Sequence, residues 1–381
     1  MDLVPHLDLS RVPESAPPRR PRELYIDAFR GLMALVMVQG HLSDGLLSPA
    51  VREAPWYVFQ QMFHGSTAPG FLFASGFVAG LPRAPLSMRA GLRRARRLLF
   101  VFGIGYFLHL PYFSLWKTVG EATARQREIL FSCDALQVIA VTQLLVLVLQ
   151  WVVGQRWTWV AAGLAVVVAV LAPAVWDSGL SSRLPEAVGP YLDRSSGSRF
   201  PFFPNAAFVL VGTLAGARLG HVDPRRRLRR ALAAGGILVS LGALLALLLE
   251  GRVDYWGPSP AYLSVRLGGL LLLLLVVEGA ARAALPGTRA LALLGHETLL
   301  VYVLHLYLLF GGIVTGPSPM LAFHDRLGVG AAAVVLLASL PVLLAAAWAW
   351  RTAKQRAPHE AQLVLVFLTT AFLYEFVTRP W

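Results

Sequence analysis

Arg30 and His41 stand in the stretch YIDAFRGLMALVMVQGH, Tyr25 to His41, which is otherwise mostly apolar. Ten residues separate them. Eleven helical steps of about 100° return to within about 20° of the start, so on a helix both residues share one face. Ionisable groups are costly in hydrocarbon and turn toward a bundle interior or a wet cavity. An imidazole gains and loses a proton near neutral pH, which suits a general base or a nucleophile. A guanidinium fork suits a phosphate or carboxylate. A plainer reading pairs Asp27 with Arg30 as a local i,i+3 ion pair and leaves His41 at the membrane interface.

Three further stretches carry chemistry-bearing residues. MRAGLRRARRLLF holds two overlapping R-x-x-R pairs, Arg93 with Arg96 and Arg94 with Arg97, each on one helix face. They suit phosphates, or they are plain membrane-orienting charge. The cluster RRRLRR at 225–230 reads as orienting charge only. FHGSTAPGFLFASGFVAG, 63–80, offers His64 as a second pocket group and small residues that permit close helix contact. Its APG, 68–70, should break the helix. Ser75 does not stand in the G-x-S-x-G of a nucleophile elbow. HETLLVYVLHLYLLF, 296–310, sets His305 and Tyr302 three apart on one face and puts Glu297 near one end. His305 reads either as a pocket group or as a partnered structural histidine. No H-E-x-x-H, C-x-x-C, P-loop or G-x-G-x-x-G occurs, so no metal site is expected.

The elements that position these residues must be membrane helices. The 381 residues are 56% hydrophobic and only 14% charged, against about a quarter charged in soluble domains. We count eleven spans, about 26–47, 58–81, 98–116, 134–153, 157–176, 203–220, 231–249, 261–281, 291–314, 328–350 and 361–377. The expected fold is an all-α integral membrane bundle of 10–11 transmembrane helices. Residues 1–22 are expected to be a disordered cytoplasmic tail, 23–315 the core, and 316–381 additional helices of the same bundle. Cys133 is the only cysteine, which excludes an intrachain disulfide.

The net charge of +13 belongs to short loops rather than to a basic face interleaved with aromatics. The expected partner is therefore the lipid bilayer and not nucleic acid. With the N-terminus inside, inner segments hold 22 Lys and Arg and outer segments 10; Arg30 and Arg266 lie within spans, completing the 34. That asymmetry favours a cytoplasmic N-terminus and an outer C-terminus. His41 then lies sixteen residues, about 24 Å, beyond Tyr25, in the outer half. His64, His109, Asp134, Gln137, Asn205 and Arg266 fall near the same level, with His305 midway along its helix.

YIDAFRGLMALVMVQGH, the R-x-x-R pairs, STAPGFLFASGFVAG and GHETLLVYVLHLYLL together resemble the transmembrane acyltransferases of the acyltransferase-3 family, with Arg30 and His41 in the family's R-x10-H. DALQVIAVTQLL and FPFFPNAAFVLVGTLAG look more like the related heparan-alpha-glucosaminide N-acetyltransferase type. APG departs from the family's usual Gly-Val-Asp-type run, and the last two helices match neither. The resemblance implies transfer of an acyl group, acetyl by expectation, from cytosolic acyl-CoA to a hydroxyl or amine of an acceptor across the membrane. The expected acceptor is a sugar or glycan, and the expected location a bacterial plasma membrane. His41 would act as base or acyl carrier, with His64 beside it, and Arg30 would hold the donor or stabilise charge. Arg93, Arg94, Arg96 and Arg97 would bind acyl-CoA. Asp134, Gln137, Asn205, Arg266 and His305 would orient the acceptor. The main rival is a proton-coupled solute transporter that uses the same buried groups. No inverted repeat or pair of broken helices supports it.

Overall fold

The computed structural model describes residues 24–81, 87–312 and 316–379. The tail expected at 1–22 lies outside them. The described residues form sixteen α-helices and one two-residue antiparallel strand pair. In chain order the helices are α1 Leu24–Leu46, α2 Pro49–Arg52, α3 Pro55–His64, α4 Thr67–Gly80, α5 Met88–Phe107, α6 Leu115–Glu121, α7 Ala124–Phe131 and α8 Ala135–Val152. There follow α9 Trp157–Asp177, α10 Phe202–Leu219, α11 Pro224–Leu248, α12 Pro260–Arg282, α13 Thr288–His296, α14 Thr298–Phe310, α15 Val329–Arg356 and α16 Pro358–Thr378. The protein is an all-α integral membrane protein.

Seven helices, α8 to α12 with α15 and α16, are long and apolar enough to cross a bilayer, and the α13–α14 pair makes an eighth if its halves count as one span. The other three expected spans are helical but fail on polarity or length. α1 carries Asp27, Arg30, His41 and Asp44, and α5 carries five arginines in its first ten residues. Span 58–81 is two helices of 10 and 14 residues.

The breaks fall elsewhere than APG suggested. α3 ends at His64, and α4 begins at Thr67. Pro69 is the third residue of α4, where no intrahelical partner awaits its missing N–H. The span expected at 291–314 bends by 86° at Glu297. The third span starts ten residues early and stops at Phe107, so His109 follows the helix and is not in it.

Close backbone contact at the centre of the bundle sets the helix positions. α10 is the most buried candidate span (61%) and α16 the least (6%), so α10 is central to the bundle and α16 peripheral. α4 and α10 each present a G-x-x-x-G at their crossing. A Cβ on Gly76, Gly80, Gly212 or Gly216 would lie 1.9–2.1 Å from a carbonyl oxygen of the facing helix. Small residues of this kind let membrane helices approach backbone to backbone. α1 meets α13 the same way, through Gly31 and Gly295.

The cluster at 225–230 does more than orient the chain. Arg227 is buried and donates to Glu278 at 2.9 Å and to the carbonyls of Leu219 and Val222. Its guanidinium lies 4.8 Å from the centre of the Tyr25 ring. Arg227 therefore locks α11 to α12 beside the start of α1. A buried charge persists only when it is paired and hydrogen-bonded in this way.

Candidate active site

The second half of α1 presents Gln39, His41 and Asp44, of which His41 and Asp44 stand in the wall of a cavity of about 620 Å³. His41 is the meeting point. Its Nδ1 lies 2.9 Å from Nε2 of His305 on α14, with the rings stacked at 5.1 Å and 20°. The His64 ring stands edge-on to His41 at 5.5 Å. His64 fits there because residue 40 has no side chain: a Cβ on Gly40 would lie 1.6 Å from His64 Nδ1.

Two carboxylates complete the polar wall. Asp44 accepts hydrogen bonds from Tyr57 and from Gln61 Nε2 at 2.5 Å, and its other oxygen lies 3.6 Å from His64 Nε2. Asp134 caps α8 by accepting from the Ala135 amide at 2.7 Å. Its second oxygen accepts from Tyr302 at 3.3 Å and lies 3.6 Å from His109 Nε2. One cap oxygen is thus tied to the helix, while the other faces α14 and the turn after α5.

The rest of the wall comes from α7 and the linker before α10. Arg125 and Glu128 pair at 2.6 Å at the cavity edge. Arg199 also lines the cavity, and hydrogen bonds on both sides of it hold the chain in place. The Cys133 amide donates to Ser198 Oγ at 2.8 Å, and the Phe200 amide donates to the Cys133 carbonyl at 3.2 Å. Phe71, Phe107, Phe200 and Phe310 supply aromatic surface. Carboxylates, arginines and aromatic faces together give the cavity the mix of apolar area and a few placed polar groups that ligand sites have.

The structure gathers some of the expected residues and disperses others. His41, His64 and Asp134 line the cavity; His305 lies behind His41, only 4% exposed. Gln137, Asn205 and Arg266 lie outside the cavity wall and make packing contacts instead. Gln137 fills the space left by Gly105 on α5, Asn205 donates to Pro201 O at 2.8 Å, and Arg266 donates to Met62 O at 2.7 Å and to Ser66 Oγ. Arg266 thereby braces the α3–α4 break.

Arg30 lies 3.5 Å from Asp27, the local pairing of the plainer reading. Asp27 is also 3.7 Å from His296, and Glu297 at the α13–α14 bend binds Lys354 at 2.7 Å. Of the α5 arginines, Arg93, Arg96 and Arg97 are exposed and Arg94 partly buried. Asp44 and Arg199 are members of the site that sequence reasoning missed. Asp44 had a signal, since it follows His41 by three residues on the same helix face. Arg199, in an irregular linker, had none.

A protein-family model described as an acyltransferase domain, of the acyltransferase-3 type, matches residues 23–351. The chain belongs to the acyltransferase-3 family. As an acyltransferase-3 protein it is a membrane acyltransferase, and the match takes in α1 to α14 and most of α15. Only α16 lies wholly beyond it, so α15 belongs with the family domain although it resembled nothing by sequence. The match does not extend to the heparan-alpha-glucosaminide N-acetyltransferase type. No curated protein matches the chain.

Proposed function

We propose that this acyltransferase takes its acyl group, acetyl by expectation, from acyl-CoA on the cytoplasmic face. It delivers that group to a hydroxyl or amine of a sugar or glycan held in the cavity on the opposite face. The observation that carries this reading is the His41 imidazole, set in the wall of an open cavity and supported by a second imidazole. In this scheme His41 Nε2 takes the acceptor proton as the acceptor oxygen or nitrogen attacks the thioester carbonyl. The C–S bond then breaks, and the same proton passes to the leaving CoA thiolate. Asp44 and Asp134 accept hydrogen bonds from the acceptor's other hydroxyls. Eleven helical steps of α1, about 16 Å, separate Arg30 from His41, so the acyl end of the donor must run along that helix from the arginine-bearing face.

The charge asymmetry of the loops supports a cytoplasmic N-terminus, which puts the α5 arginines on the CoA side. Replacing Arg93, Arg94, Arg96 and Arg97 together by Gln is expected to weaken acyl-CoA binding about 10–10²-fold for each arginine–phosphate hydrogen bond removed, since a charge-assisted hydrogen bond is worth about 1.5–3 kcal/mol. Isothermal titration of purified protein with acyl-CoA checks this. Unchanged affinity would reduce the cluster to an orientation signal.

Gly40→Ala tests the histidine arrangement without removing a histidine. Its Cβ must drive His64 off His41 and away from Asp44. A displacement of about 1 Å at a catalytic group can cost about 10²-fold, and turnover is expected to fall by that order while acyl-CoA affinity holds. Parental turnover in Gly40→Ala would remove His64 from the site.

Release of free CoA by purified protein in vesicles, coupled to acyl transfer onto glycan and without solute flux, tests the function as a whole. Solute flux driven by a pH gradient, with no thioester consumed, would favour the transporter.

A further inference from the structure

The hydrogen bonds around His41 define where its protons sit. His305 Nδ1 lies 3.0 Å from the carbonyl oxygen of Val301, one turn earlier on α14. A carbonyl oxygen only accepts, so the hydrogen between them belongs to His305 Nδ1. A neutral imidazole protonated at Nδ1 carries its lone pair on Nε2. His305 Nε2 faces His41 Nδ1 at 2.9 Å. His41 Nδ1 must then be the donor, and the lone pair of His41 is left on Nε2.

The alternative puts both hydrogens on His305 and leaves His41 Nδ1 as acceptor. It would place a full positive charge on a ring that is 4% exposed. No carboxylate pairs with His305 among the described residues, and burying an unpaired charge is strongly unfavourable. The charged and titratable groups around the pair are His64 from α3, Asp44 from α1, Tyr302 from α14, Asp134 at the start of α8, and Arg199 from the linker. The Asp44 carboxylate lies 3.6 Å from His64 Nε2 and does not reach His305, so it does not offset a charge placed there.

We propose that His305 is the positioning residue of the acyl transfer. By accepting from His41 Nδ1 it fixes the tautomer and ring plane of His41, so that the Nε2 lone pair is held ready for the acceptor proton. This rests on His41 being the base. His305 lies outside the cavity wall, buried behind His41. By sequence it was expected to orient the acceptor; here it orients the base. It fills the place that a carboxylate holds beside the histidine of a Ser-His-Asp triad, with a neutral ring in place of an anion. The Val301 carbonyl is the third member, and a backbone group in a regular helix holds the relay without any side-chain freedom. The pair takes up one proton per transfer, at His41 Nε2, and passes it to the CoA thiolate.

The test compares His305→Gln with His305→Leu in full-length protein in lipid nanodiscs, at matched abundance. The Gln amide oxygen can still accept from His41 Nδ1, whereas Leu has similar bulk and no acceptor. His305→Leu is expected to lower kcat about 10²-fold, with the KM for acyl-CoA unchanged. His305→Gln is expected to stay within about tenfold of the parent.

A second readout needs no acceptor. Diethyl pyrocarbonate attacks only an unprotonated imidazole nitrogen, and mass spectrometry locates the modification on His41. Its rate against pH should follow the parental profile in His305→Gln and slow several-fold in His305→Leu. Parental turnover and labelling in both variants would overturn the proposal. So would equal losses of turnover with His41 labelling unchanged, which would mean that His305 acts through packing alone. If His41→Ala itself retained turnover, the assignment of the base would fail; if His41→Ala is inactive and His305→Leu is not, only the positioning role fails.

Discussion

His41→Ala is expected to abolish acyl transfer and to leave acyl-CoA binding close to the parental value. Its imidazole lies at the cavity, while the arginines proposed to hold the CoA phosphates lie on α5 and at the start of α1. Loss of general acid–base help costs about 10²–10⁴-fold in turnover. Loss of an acyl-carrying nucleophile would cost more, because the pathway itself would close. The comparison needs Arg30→Ala beside it, which should weaken both binding and turnover because Arg30 sits nearer the donor's entry. Both variants are measured at equal abundance for acyl-CoA affinity and for CoA release. A buried polar partner left unsatisfied also destabilises, by about 1–3 kcal/mol, and thermal unfolding separates that effect from the chemistry. Should His41→Ala keep parental turnover while His64→Ala loses it, the base belongs to α3 and the R-x10-H reading of α1 fails for this protein.

Much of this arrangement was legible in the sequence because it is local. The period of α1, the position of His41 far from Tyr25, and the order of the apolar runs follow from pitch and hydropathy alone. The position of a residue along its helix was legible, but the direction its side chain faces around the bundle was not. Asn205 and Gln137, expected at the site, turn into helix packing. A polar group in a membrane helix is satisfied as well by a neighbouring helix as by a substrate.

The pairing of His41 with His305 spans 264 residues, and nothing local encodes it. It arises because α13 packs on α1 through Gly31 and Gly295, and the chain then bends by 86° before α14 begins. The bend at Glu297 carried no Pro or paired Gly to announce it. The break before α4 was misplaced for the opposite reason. Pro69 advertised a break, but a proline in the first turn begins a helix as readily as it ends one.

The largest effect on the fold is expected at the α4–α10 crossing. Gly76→Leu or Gly212→Leu should prevent the bundle from closing, because each new side chain would meet the backbone of the facing helix. The Cβ alone would stand 2.0 Å from Val209 O or 2.1 Å from Phe73 O, and a carbonyl in a regular helix cannot rotate away. Phe73, Phe77 and Phe208 are fully buried beside the crossing, so the helices have no slack in which to slide. Overpacking a core by a few methylenes costs about 1–3 kcal/mol when side chains can adjust. Here only the helices can move, and the cost is expected to exceed that range. Whole-domain stability is only about 5–15 kcal/mol.

The damage should reach the site as well, since Thr67, Ala68 and Phe71 of α4 form part of the cavity wall. Gly236→Leu and Gly269→Leu are the controls, because a Cβ at either position meets nothing within 4 Å. Size-exclusion profiles and thermal unfolding in detergent should show aggregation or a large fall in Tm for the α4 and α10 variants, and parental behaviour for the controls. If Gly76→Leu behaved like Gly236→Leu, the two backbones would not be touching, and the central position of α10 would have to be abandoned.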